Sequence, residues 1–150
     1  MSSAADSRQA IVAEALRWEG TPYHHHGRLC GVGVDCAMLL AEVYRAAGLT
    51  AEIDPGHYAP DWHLHRSEEQ FLAWVQIAGA RPVAQPGPGD VGVWRFGRTY
   101  SHGGIVVAAA PAATPVVLHA HRDAGRVIRS ALDEAPLCGR PVRWFTLIGA

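Results

Sequence analysis

Apolar residues recur at helical spacing in the first part of the chain. Ile11, Val12, Ala15, Leu16 and Trp18 form one side of a helix expected over about Ser7 to Trp18, capped by Asp6 or Ser7 and stopped by Gly20 and Pro22. After an irregular stretch rich in His and Gly, Asp35 is placed to cap a second helix that turns Leu39, Leu40, Val43, Tyr44 and Ala47 inward and ends at Gly48. A third is expected from Ser67, where Ser67 and Gln70 have capping-box spacing, through Phe71, Leu72 and Val75 to Gly79. Beyond the turn-rich run Pro86-Gly87-Pro88-Gly89-Asp90 the period shortens. β-Branched and aromatic runs at Val91 to Phe96, Gly104 to Ala109, Val116 to Ala120, Arg126 to Ala131 and Trp144 to Ile148 then predict strands close enough to pair antiparallel. Helices first and strands after make an α+β domain.

Composition narrows the class. With 150 residues, 49% of them hydrophobic, the chain suffices for one core and is too short for two ordinary domains, so a single domain over 1–150 is expected. A net charge of −1 argues against nucleic acid as a partner. The apolar stretch from Ile105 to Ala120 is broken by Pro111 and Pro115 and does not read as a membrane span, and no signal peptide is visible after Met1. A cytoplasmic product is the expectation. Three cysteines, an odd number without paired spacing, suit a reducing compartment.

Chemistry concentrates at few places. Cys36 falls where Gly31-Val32-Gly33-Val34-Asp35 gives way to the second helix, so its sulfur lies in the first turn. Unpaired N–H groups and the positive helix end are expected there to lower its pKa and to hold an oxyanion. A base must come from elsewhere. His102 is read as opening the strand Gly103 to Val107, and a polar side chain on the next strand could fix its orientation. His119 is the candidate for that role, and His121, two residues on and on the same strand face, competes with it. His24-His25-His26 with Cys30 raises a zinc alternative, but the spacing is poor and no second ligand pair follows, so no metal is expected. Cys30 and Cys138 read as bystander thiols.

Five short pieces, Glu19-Gly20-Thr21-Pro22-Tyr23, Gly33-Val34-Asp35-Cys36, Pro88-Gly89-Asp90-Val91, Ser101-His102-Gly103-Gly104-Ile105 and Leu118-His119-Ala120, occur in the order found in NlpC-type cell-wall peptidases. The resemblance implies a papain-like α+β fold, N-terminal helices packed on a C-terminal antiparallel sheet. It further implies a cysteine peptidase that cuts amide bonds in bacterial peptidoglycan stem peptides without a cofactor. Cys36 would attack the carbonyl, His102 would shuttle the proton, His119 would orient His102, and Tyr23, Asp35 and Ser101 would line the substrate side. Ala37 and Met38 depart from the family, which places a small polar residue and then glycine after the nucleophile. That departure suggests a different or looser specificity. The segment from His57 through Trp62, His63, Leu64 and His65 to Glu69 looks like a subgroup encoded with phage tails or tail-like particles, which would make tail proteins partners and carry an unexported enzyme to the wall. The rival reading from another class is a tail-assembly protein that keeps the peptidase fold without cutting. An acyltransferase or an amidase with another substrate also stays open.

Overall fold

The computed structural model describes residues 3–50, 70–110 and 113–149. The first helix, α1 (Ala4–Arg17), begins a turn earlier than expected. Ser3, not Asp6 or Ser7, is its cap: the Ser3 hydroxyl accepts the Asp6 N–H at 3.0 Å, and the Asp6 carboxylate accepts the Ser3 N–H in return. Asp6 and Ser7 therefore lie inside the helix. Ile11, Ala15 and Trp18 are buried, whereas Leu16 is exposed, so the apolar side is narrower than the sequence suggested.

The irregular stretch that follows contains a small hairpin, β1 (Arg28–Leu29) with β2 (Gly33–Val34), which the pattern did not predict because each strand is two residues long. Next comes α2 (Cys36–Ala46), with Asp35 as its cap and Gly48 just past its end at φ 81°. Every residue of α2 from Cys36 to Tyr44 is buried, so this helix runs through the core. The third helix, α3 (Gln70–Ile77), directs Leu72 and Val75 inward. The expected start at Ser67, and the segment 57–69 with its histidines, lie outside the described residues.

Six strands form one antiparallel sheet: β3 (Arg81–Pro82), β4 (Val91–Phe96), β5 (Thr99–Ala108), β6 (Val116–His121), β7 (Arg126–Ala131) and β8 (Val142–Thr146), in spatial order β3-β8-β4-β5-β6-β7. Two expected boundaries moved. The fifth strand starts at Thr99 rather than Gly104, because Gly97 at φ 67° and Arg98 make a two-residue turn that carries the pairing with β4 straight on through Phe96↔Thr99. His102 is thus inside its strand, not at its opening. The last strand lies two residues earlier than predicted and pairs with β4 through Val91↔Phe145.

All three helices pack against β5. On that side Ile11, Leu39, Val43, Val91, Ile105, Leu118 and Phe145 make the main core. The opposite side of the sheet carries a second cluster of Trp94, Val117 and Leu137, with Phe96, Val142 and Trp144 against it. The Pro88-Gly89-Asp90 piece has a structural role: Asp90 is buried, accepts from the Arg8 guanidinium at 3.1 Å and from the Gly87 N–H at 2.8 Å, and the Tyr44 hydroxyl donates to the Gly89 carbonyl at 2.7 Å. This turn ties α1 and α2 to the start of β4. Among the described residues no helix is long and apolar enough to cross a membrane.

Candidate active site

Cys36 is the first residue of α2 and is 6% exposed. Its position is set by the cap: the Asp35 carboxylate accepts the Met38 N–H and, through its other oxygen, the His26 N–H, each at 2.9 Å. Leu39 N–H already has the Asp35 carbonyl. The Cys36 and Ala37 N–H groups favour the thiolate form of the sulfur.

Opposite the sulfur, β5 is irregular. Trp94 pairs with His102 and Arg95 with Tyr100, so Ser101 is an extra residue, a β-bulge. On its other edge β5 pairs with β6, among the described residues, only from Ile105 to Ala108, with a register shift between Val106 and Ala108. The backbone before Ile105 is therefore released from the β6 ladder, and the sulfur takes its place: the Cys36 thiol donates to the Ser101 carbonyl at 3.8 Å, and the Gly103 N–H favours its thiolate form. Ser101 meets Cys36 through its backbone. Its own hydroxyl is buried with no hydrogen-bond partner among the described residues.

The same bulge aims His102 at β6. His102 Nε2 and His119 Nδ1 lie 2.8 Å apart, with the rings edge to face, and Phe96 packs on the His102 ring at 4.8 Å. His119 is fully buried and His102 nearly so. Gly104 allows this approach, since a Cβ there would stand 2.5 Å from Val117 Cγ1 and 3.2 Å from His119 Cβ. His121 stays close, its ring 6.0 Å from that of His102, while the 2.8 Å hydrogen bond of His102 Nε2 is with His119. Sequence reasoning missed Ser130, whose Oγ is 2.8 Å from His119 Nε2. The signal was there in the hairpin: the turn before Gly125 sets His119 opposite Ile128 and makes Ser130 its diagonal neighbour on β7.

Tyr23 is held beside the site by backbone bonds from its N–H to Gly125 and from Val34 to Pro22. Burial, then the charges of Cys36 and Asp35, push its phenol pKa up. The Cys36 thiol is also pushed up, by burial first and by Asp35 second, against the pull of the Gly103, Ala37 and Cys36 N–H groups. The expected depression at a helix terminus is thus reversed: the N–H groups are present, but desolvating a thiolate beside a buried carboxylate costs more. His119 goes the other way, lowered to about 3 by burial and by His121, and is neutral near pH 7.

His102, His119 and His121 each place one ring nitrogen within 4.8 Å of the others, the one grouping among the described residues with metal-ligand spacing. The His24–His26 run is not part of it. There His25 stacks on His26, and His25 Nδ1 is 3.8 Å from the Asp35 carboxylate, so this loop packs on the cap of α2. Cys30 donates to the Arg17 carbonyl at 3.2 Å, Cys138 is exposed, and all three cysteines are unbridged.

The arrangement defines a buried thiol bonded to the backbone beside His102, and a hydrogen-bonded pair of imidazoles, on an α+β scaffold. That scaffold is found in solved structures. No family model and no curated protein sequence matches the chain. The NlpC/p60 domain of the peptidoglycan hydrolase SagA superposes with a TM-score of 0.57 at 22% identity over 91% of this chain and 96% of that one. An NlpC/P60 family protein from Bacillus cereus gives 0.62 at 15% identity, covering 99% of this chain and 44% of that one. An N-acetylmuramoyl-L-alanine amidase from Bacteroides uniformis gives 0.59 at 12%, covering 93% and 98%. The chain therefore has the papain-like fold of the NlpC/p60 structures.

Proposed function

We propose that this protein is a cysteine hydrolase of bacterial peptidoglycan that cuts an amide bond in the stem peptides, with Cys36 as nucleophile, His102 as base and His119 as the group that orients His102. The observation that carries the reading is that the Cys36 thiol, in the first turn of α2, bonds the carbonyl of Ser101, the residue before His102, whose Nε2 lies 2.8 Å from His119 Nδ1, with Cys36, His102 and His119 all buried. Two of the similar structures, a peptidoglycan hydrolase and an N-acetylmuramoyl-L-alanine amidase, favour the same substrate class.

In this reading the resting sulfur is a thiol, so proton transfer accompanies attack. His102 Nε2 faces His119 Nδ1, and in this reading His102 takes the Cys36 proton as sulfur adds to the carbonyl carbon. The oxyanion lies against the Cys36 and Ala37 N–H groups. Collapse breaks the C–N bond, and the proton on His102 goes to the leaving amine. Water, deprotonated by His102, then adds to the thioester, and the carboxylic product leaves as sulfur regains its proton. Tyr23, Asp35 and Ser101 border the cleft. Two of the carboxylate's bonds go to backbone, which suits Asp35 to shaping the site as well as to meeting a substrate cation. Carriage in a phage tail rests on the resemblance of segment 57–69 alone.

Purified wild type and Cys36→Ala are to be incubated with defined stem peptides and intact sacculi, with released fragments followed by mass spectrometry. Cleavage by wild type only is expected, and the fragment masses separate a bond within the stem from the muramoyl-alanine bond. His102→Ala is expected to lose turnover by about 100-fold or more. Equal cleavage by wild type and Cys36→Ala, or a wild type that cleaves nothing and whose Cys36 resists alkylation, would reject the hydrolase in favour of a non-catalytic assembly protein.

A further inference from the structure

His102, His119 and His121 offer one ring nitrogen each, all within 4.8 Å of one another, and the reading above uses only two of the three rings. The strands set this spacing. His119 and His121 are alternate residues of β6 and share its face, and the bulge at Ser101 turns His102 toward them, so that the ring centroids stand 5.0, 5.7 and 6.0 Å apart.

His102 Nε2 and His119 Nδ1 face each other at 2.8 Å. Two nitrogens on one tetrahedral zinc ion, each about 2.0–2.1 Å from it, stand about 3.3 Å apart, so the pair has to open by only about 0.5 Å to take an ion. The hydrogen now lying between them moves to the far nitrogen of its own ring, which leaves two neutral imidazoles with lone pairs on the ion. His121 is the last residue of β6, half-buried beside the turn that ends at Gly125, where rotation of its side chain brings a third nitrogen in.

The surroundings suit a cation. A histidine bound to metal through one nitrogen donates its other N–H to a nearby oxygen, and Ser130 Oγ lies 2.8 Å from His119 Nε2, able to accept it. Of the charges that act on His121, the Asp123 carboxylate outweighs the Arg140 guanidinium. A donor set of three imidazoles, with no carboxylate in it among the described residues, suits zinc and not calcium or magnesium.

We propose that His102, His119 and His121 form an inhibitory zinc site: the ion binds His102 Nε2, His119 Nδ1 and one nitrogen of His121, with water in the fourth position, and replaces the His102–His119 hydrogen bond. Inhibition rests on the hydrolase reading, since it requires His102 to serve as base. Binding of the ion does not.

Binding is measured first, by titrating zinc against a competing chelator into Cys30→Ser/Cys138→Ser protein with and without Cys36→Ala. One ion per chain is expected, held equally by the two, with affinity falling at least about tenfold on His121→Ala and on Ser130→Ala. His121→Gln keeps the side-chain volume and decides the question should His121→Ala fail to fold. No binding, or binding that ignores both His121 substitutions, overturns the site whether or not the protein cleaves peptidoglycan. Binding lost on Cys36→Ala also overturns it, by assigning the ion to the sulfur. In the cleavage assay zinc should inhibit, chelator should restore the rate, and His121→Ala should need about tenfold more zinc, each rate being referred to the same protein in chelator. Cleavage untouched by saturating zinc overturns the inhibitory role.

Discussion

At the scale of single residues, the competition at Cys36 decides how the thiol can react. Three N–H groups favour the thiolate, and burial beside Asp35 opposes it and wins. A cysteine paired in advance with an imidazolium would alkylate at a rate that levels off below neutrality. Here the rate with iodoacetamide is expected to climb with pH and to keep rising past about 8.5, where an ordinary cysteine has half ionised. Stopped alkylation followed by intact-mass analysis measures this, with Cys30→Ser/Cys138→Ser removing the other thiols. A plateau near pH 6 would show that the N–H groups dominate after all. The Ser101 hydroxyl, buried with no hydrogen-bond partner among the described residues, is a second local cost of about 1–3 kcal/mol.

Among elements, the site depends on where β5 stops pairing with β6. The bulge at Ser101 turns the strand, the released edge admits the sulfur, and Gly104 lets His119 approach from the facing strand. Gly104→Ala should drive a methyl into Val117, which is fully buried and has no room to withdraw. A loss of about 1–3 kcal/mol in urea unfolding is expected for such overpacking. The displaced β6 should also weaken the His102–His119 bond, lowering turnover more than stability loss accounts for at temperatures where the variant is folded. An active, equally stable Gly104→Ala would mean that β6 can shift without disturbing the pair.

For the whole molecule, His119 couples the site to folding. Its pKa is about 3 in the folded chain against about 6.5 for an unfolded histidine, so between these values the unfolded state binds more protons. Stability from this group is complete above pH 6.5 and is lost as pH falls toward 3, with a slope of up to about 1.4 kcal/mol per pH unit. Chemical denaturation from pH 7 to 4 should show this slope for wild type, and His119→Gln should remove most of it. Equal slopes in the two proteins would assign the acid sensitivity to other groups.

Much of this fold was readable along the chain because its signals are local. The cap at Asp35, the strands Val91–Phe96 and Arg126–Ala131, and the helical spacing of Leu39, Leu40, Val43 and Tyr44 follow from short-range propensity and period. Where neighbours in space set the outcome, that reading stopped short. The start of β5 depended on its pairing with β4, the two-residue strands of β1 and β2 exist only through their partner, and α1 found its cap a turn earlier. The same division holds at the site. Residue types and order bring forward Cys36, His102 and, as competitors, His119 and His121 as candidates, because a cysteine at a helix start and histidines in short apolar runs are sequence-local features. Three things needed the tertiary structure: the hydrogen bond between His102 and His119, that between His119 and Ser130, and the direction of the thiol's pKa. Each depends on which groups burial brings within about 3 Å and on how much water it removes, and no spacing along a chain encodes either.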